Sequence, residues 1–372
     1  MRVDHSVIIK NKINKFALVL TMLCLSSCAA TGDGLGYYWQ SINGHFAVMR
    51  AAKPISEWLD DADTPKALKD KLALVQKIRS FASSDLGLPD NGSYTKYADL
   101  KRPSVVWNVF ATPELSIKLQ TWCFPVAGCV SYKGFYAQAD AESYAAQLRA
   151  QGLEAYVGGV PAYSTLGWFD DPVLNTFVNY PDGELARLIF HELGHQILYV
   201  KNDSTFNESF ATAIEEEGLR RWLKSLPDSN NRDRLDAQYQ EFSARKVEFI
   251  ALLKRSRVAL EEVYAKPGND DEKRAGKVAV FARLQSEYGE LKKSWGGYAG
   301  YDRWFAQKLT NAHLASVATY SDGVPGFRQL LQEQGGDLQR YYAAAKKLSE
   351  LEKPARDKAL NIQATIAPKV QR

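Results

Sequence analysis

Residues 66–82 carry apolar side chains at helical spacing, opened by Thr64 as an N-cap and Pro65 at the first helical position. From 93 to 136 the pattern changes to β-branched and aromatic residues, with turn signals at Pro103, Pro113, Pro125 and Gly128, and it predicts strands and loops. Asp140 caps a second helix that ends at Gly152. Residues 154–160 and 162–169 read as strands, broken by Gly158, Gly159 and Pro161. From Gly183 onward the pattern is almost wholly helical. Together these elements predict an α+β fold, dominated by helices, with a small sheet packed against one of them.

Within the helical part, residues 232–293 form a block dense in Lys, Arg, Glu and Asp. Leu235, Tyr239, Phe242, Phe249, Leu252, Leu253 and Leu260 recur at helical spacing, and Pro267 and Gly268 break the run before Val278, Phe281, Leu284, Tyr288 and Leu291 resume it. That is an antiparallel helical hairpin, about 230–293, inserted in a single domain and solvated on its outer faces. Further helices follow near 300–318, 324–334 and 337–352, and residues 356–372 read as a loosely held tail.

Composition places these elements in an ordinary globular chain: 372 residues, 45% hydrophobic and 24% charged, which excludes wholesale disorder and a polytopic membrane protein. The formal charge is +4, and +3 of it comes from the first 27 residues, where Arg2, Lys10, Lys12 and Lys15 stand against Asp4. With that leader set aside almost no net charge is left, so a nucleic-acid partner is not expected.

The leader is polar and basic to residue 15, then apolar over 16–25, too short to span a bilayer but right for the core of a secretory signal. It ends in Leu25, Ser26, Ser27 and Cys28, which resembles the bacterial lipobox. The resemblance implies a signal peptide over 1–27, acylation of Cys28 and a lipidated tether over 28–36. The alternative is an ordinary signal peptide cut near Ala29 or Ala30. Ala29 after a lipidated cysteine implies an outer-membrane address, facing the periplasm, with acyl chains holding the protein to the leaflet. Of the remaining cysteines, Cys24 leaves with the signal, and Cys123 and Cys129 flank a segment with Pro125 and Gly128. In an exported protein a disulfide between them is expected, with two buried thiols as the alternative; no further cysteines complete a zinc site there.

The segment Phe190, His191, Glu192, Leu193, Gly194, His195 contains H-E-x-x-H inside an amphipathic helix whose apolar positions are Leu185, Leu188, Ile189, Leu193 and Ile197, with Asp182 as a cap. Four-residue spacing puts His191 and His195 on one face, where both imidazoles reach one Zn²⁺ at roughly 2.0–2.1 Å. Glu192 sits beside them as a general base for water. Two histidines satisfied by hydrogen bonds on a half-buried helix are the plainer reading. A three-ligand zinc site needs one more ligand. The first helix should end near Val200 and a second begin after a cap at Ser204 or Thr205. His195 and Glu208 then lie at similar heights in an antiparallel pair, which makes Glu208 the third ligand of one zinc per chain.

H-E-x-x-H followed by N-E-x-F-A resembles the gluzincin metallopeptidases, in which the second glutamate is the third zinc ligand. In the leukotriene-hydrolase-like aminopeptidases the interval from the second histidine to that glutamate is longer than the 12 residues here, which argues against that family proper. A closer match is a bacterial family described as predicted aminopeptidases, often lipoproteins. Its segments resemble those at 122–129, 162–172, 190–196 and 206–211. The resemblance covers most of the chain after the leader and implies a zincin-like catalytic domain and an aminopeptidase.

By analogy with zincins, Tyr163, Ser164, Thr165, Leu166 and Gly167 form a sheet-edge strand that pairs with an extended substrate; a plain structural strand is the other reading. A developing oxyanion needs a second donor, for which Tyr301 or Tyr320 is preferred over Tyr298 and His313. Glu215, two turns past Glu208, orients a ligand histidine, binds a substrate amine, or is simply exposed in a run with Glu216 and Glu217. The leading reading is a zinc peptidase acting on peptides or proteins; an envelope endopeptidase and a non-catalytic zinc-stabilised lipoprotein that displays the hairpin are the alternatives. No protein partner is identified.

Overall fold

The computed structural model describes residues 35–124, 128–317 and 323–362. The chain divides into two compact units, 1–47 and 48–372. The described part of the first lies in helix α1 (Leu35–Ala51), which exposes Tyr38, Trp39, Ile42 and Phe46. Leu35 and Gly36, expected in the tether, are therefore helical. Cys28 and the rest of the leader lie outside the described residues.

The second unit follows the expected class, α+β and mostly helical. Its elements in order are β1 (Lys53–Pro54), α2 (Ile55–Asp60), α3 (Lys66–Ser84), β2 (Lys96–Ala98), β3 (Val106–Pro113), β4 (Trp122–Phe124), β5 (Gly128–Val130), β6 (Lys133–Phe135), α4 (Gln138–Ala150), β7 (Leu153–Val160) and β8 (Val173–Leu174). Then come α5 (Asp182–Ile197), α6 (Ser204–Ser225), α7 (Ser229–Ala265), α8 (Asp270–Ser294), α9 (Asp302–Phe305), α10 (Asn311–Val317), α11 (Val324–Glu333), α12 (Leu338–Ser349) and α13 (Lys353–Ala359). Among the described residues no helix is long and apolar enough to cross a membrane.

Among the described residues three small sheets stand in place of the single expected one: β1-β2-β8, the antiparallel β6-β3-β7, and the ribbon β4-β5. In the second, β3 and β7 pair along their whole length, from Val106 opposite Val160 to Pro113 opposite Leu153. The ribbon joins Cys123 opposite Cys129, and the two form the expected disulfide.

Several boundaries move by a few residues because backbone geometry, not side-chain type, sets them. Pro65 occupies the N-cap position of α3 and Thr64 instead bonds Asp61. Asp182 lies inside the first turn of α5 and Asp140 inside that of α4. Helix α5 stops at Ile197, and Asp203 rather than Ser204 caps α6 by accepting from the Phe206 N–H. The hairpin is α7 and α8, the second opened by a capping box of Asn269 and Glu272.

The main core gathers Leu72, Ile78, Leu185, Ile189, Phe190, Phe206, Phe210, Phe327 and Tyr341. A second cluster of Phe249, Leu252, Leu284, Tyr288, Phe305 and Leu314 lies between the hairpin and its neighbours. Helices α5 and α6 approach closely because small residues meet at their crossing. A Cβ on Gly194 would stand 3.2 Å from Ile214 and 3.5 Å from the Ala211 backbone, and one on Gly218 would collide with Phe190 at 2.8 Å.

The C-terminal segment differs from the tail expected over 356–372. Residues 353–359 form α13, Leu360 is buried, and the buried Arg356 bonds Asp203 through Nη2 at 2.7 Å and Nε at 3.0 Å. A basic residue after a proline carries no pattern that announces burial; only its partner, far back in the chain, explains it.

Candidate metal centre

On α5, four-residue spacing lines up Arg187, His191 and His195 along one face. On α6, Glu208 and Glu215 face them two turns apart. The close crossing described above brings the two rows together. Nε2 of His191 lies 3.1 Å from Nε2 of His195 and 3.3 Å from Oε2 of Glu208, and His195 Nε2 lies 3.8 Å from the same oxygen. One donor atom from each of His191, His195 and Glu208 falls within 4.8 Å of the other two. Two imidazole nitrogens and a carboxylate oxygen that converge on one point are the donor set of a zinc site with an open fourth position. The residues present therefore fit a metal ion.

Burial shapes the charges. Burial presses His191 down, but the carboxylates of Glu208 and Glu215 outweigh it and push the ring up to about 10. His195, buried beside that ring, is pushed down to about 4. Glu192 is buried and raised to about 7, first by loss of water and then by the charges of Glu208, Asp171 and Glu215, against the opposing pull of His191.

Behind the ligands, Glu215 is neither exposed nor open to a substrate amine. Its Oε2 stands 3.0 Å from Nδ1 of His191, an ion-pair contact, and its Oε1 is bonded by Arg187. Glu184 and Arg187 complete that group, with Arg187 Nη1 2.8 Å from Glu184 Oε2.

The expected substrate strand is absent: residues 162–169 form a loop, not a sheet edge. Leu166 and Gly167 both have positive φ, which breaks extended backbone, and the Thr165 N–H is taken by Asp171 Oδ2 at 2.9 Å instead of by a strand partner. The loop still borders α5. Ser164 Oγ reaches the Glu192 carbonyl at 3.5 Å, and Gly167 lies against Gln196. Its tip exposes Trp168 and Phe169, while Tyr163 is half-buried against Tyr136.

Tyr301 is not brought to the ligands. Its ring lies flat on Phe249 at 3.9 Å, beside the second apolar cluster. Tyr320 lies outside the described residues. His313 is buried under Tyr156, with centroids 4.1 Å apart.

A tyrosine that sequence reasoning missed stands closer. Tyr132 sits in the turn between β5 and β6, its ring 5.8 Å from that of Phe110, and its phenol feels the charges of Glu208 and Glu192; burial first, and then those charges, push it up to about 12. The ribbon before it is tied to the turn between the two metal-centre helices, since the Cys129 N–H donates to Asn202 Oδ1 at 3.0 Å. No local pattern singles out Tyr132, one of nineteen tyrosines; Arg187 was missed as well, although its place four residues before His191 is a signal that could have found it.

Residues 36–360 match the family described as "Putative aminopeptidase". The chain belongs to this family. The match spans both helices of the metal centre, the disulfide ribbon and the helical hairpin. The family's description points to peptidase activity. No curated protein and no solved structure matches the chain.

Proposed function

We propose that the protein is a zinc-dependent peptidase, an aminopeptidase, whose metal is held by His191, His195 and Glu208. The observation that carries the reading is the convergence of those three donors beside a buried carboxylate, Glu192, that is not one of them. A purely structural zinc site is closed by a fourth protein ligand and has no use for an adjacent base.

Zinc, when bound, supplies Lewis acidity toward a peptide carbonyl and lowers the pKa of water. The chain supplies the rest. Glu192 accepts a proton from the attacking water and passes it to the leaving amine. The Tyr132 O–H donates to the oxygen on which negative charge develops, a role expected from sequence of Tyr301 or Tyr320. The loop over 163–169 gives the substrate a wall with Trp168 and Phe169 at its rim. Cys28 anchors the protein by its lipid to the envelope, facing the periplasm.

Aminoacyl amides and N-terminally blocked peptides separate the two peptidase readings. Cleavage of the free-amine substrates alone is the expected result, and cleavage of blocked peptides would make the enzyme an endopeptidase.

A further inference from the structure

The three ligands account for one side of the metal centre; the opposite side holds charged groups that they do not use. Arg187 is nine-tenths buried. Its guanidinium bonds Glu215 through Nη2 and Glu184 through Nη1, and its Cζ lies 5.4 Å from the ring centroid of Tyr239, which belongs to the helical hairpin. Glu215 in turn stands 3.0 Å from Nδ1 of His191. Among the described residues Nδ1 of both imidazoles is buried without a hydrogen bond, but that of His191 alone has a carboxylate within ion-pair distance.

We propose that Arg187 is a positioning residue for the metal centre. Its forked guanidinium clamps Glu215 against Nδ1 of His191, and Tyr239 of the hairpin covers the clamp. The inference rests on the zinc reading above and extends it to residues that touch no metal. The physical basis is threefold. A carboxylate beside Nδ1 favours the tautomer with its proton there, which leaves the Nε2 lone pair for the ion. A glutamate has enough side-chain freedom to leave that position unless something holds its other oxygen. A guanidinium presents its donors to two carboxylates at fixed angles in one plane, whereas an ammonium on a flexible stem fixes no such angle. The arrangement also gives the hairpin a function, since α7 contributes the aromatic lid of the clamp.

The test is zinc affinity, measured by competition with a chromophoric chelator, together with the visible spectrum of the cobalt(II)-loaded protein. Arg187→Met, Arg187→Lys, Glu215→Gln, Tyr239→Ala and the double variant Arg187→Met/Glu215→Gln are compared with the parent chain. The expected results are zinc binding weakened about 10–100-fold by Arg187→Met and by Glu215→Gln, an intermediate loss for Arg187→Lys, and a smaller one for Tyr239→Ala. The double variant should lose no more than Glu215→Gln alone, because both act through one contact. The cobalt spectrum should shift in each weakened variant, a change that a general loss of stability does not produce. If Arg187→Met fails to fold, Arg187→Lys and Glu215→Gln carry the test. Parent-like affinity in Arg187→Lys and Arg187→Met, or losses that add in the double variant, overturn the clamp while leaving the metal centre intact. A parent chain that binds no zinc overturns the metal reading, and the clamp with it.

Discussion

Arg356 and Asp203 form a buried ion pair that joins the last described helix to the N-cap of the helix carrying Glu208. The carboxylate receives Arg356 through two nitrogens and Lys353 at 3.1 Å, while also accepting from the Phe206 N–H. One side chain thus caps α6 and anchors α13. Replacing Arg356 with Ala leaves the buried Asp203 only the half-exposed Lys353 and the Phe206 N–H, and is expected to cost about 2–3 kcal/mol, below the roughly 3–5 kcal/mol of a fully unpaired buried charge, read as a fall in the denaturation midpoint. An unchanged midpoint would show that the C-terminal helix does not support α6.

The same pair sets a pH dependence. Burial opposes ionisation of Asp203, but the bonds from Arg356 and Lys353 and the Phe206 N–H outweigh it and hold the carboxyl below its ordinary value. A carboxyl with a lowered folded-state pKa stabilises the fold above its unfolded value, roughly 3.9, and loses that contribution as pH falls toward the folded value. Stability should therefore drop below about pH 4, and the drop should be smaller in Asp203→Asn, as followed by denaturation at a series of pH values.

Tyr132→Phe removes the phenol on which the charges of Glu208 and Glu192 act but keeps the ring against Phe110. The expected outcome is a loss in kcat of about 10²–10³-fold with KM and zinc content little changed. Tyr301→Phe should leave kcat close to that of the parent, because its ring is engaged with Phe249. Equal losses from the two substitutions would contradict the assignment.

The Cys123–Cys129 disulfide closes the ribbon that precedes Tyr132 and docks on Asn202. Replacing both cysteines with Ser should lower stability by about 2 kcal/mol and lower kcat further than that loss alone explains, because the ribbon positions Tyr132. Kinetics at a temperature where both proteins are fully folded make the comparison.

Much of the candidate metal centre is legible in the chain itself, because its residues are fixed by helical spacing. His191, Glu192 and His195 follow from a single turn of α5, and Glu208 follows from the length of one turn between two helices. Glu215 was visible as a residue on the right face, yet its partner decided its role, and that partner is reached only through the α5–α6 crossing. Tyr132 and Arg356 were not legible at all: each acts across the fold on a residue more than fifty positions away. The loop over 163–169 misled for a different reason. Its aromatic and β-branched composition matches a strand, but two consecutive residues of positive φ override that preference, and local composition does not announce them.

The most direct test of the central account measures bound zinc and peptide hydrolysis on the same preparations of the parent chain and Glu192→Gln. The expected results are about one zinc per chain in both, hydrolysis by the parent that a chelator abolishes and zinc restores, and a loss of about 10²–10⁴-fold in Glu192→Gln. Hydrolysis that persists in zinc-free protein, or a Glu192→Gln variant as active as the parent, would contradict it.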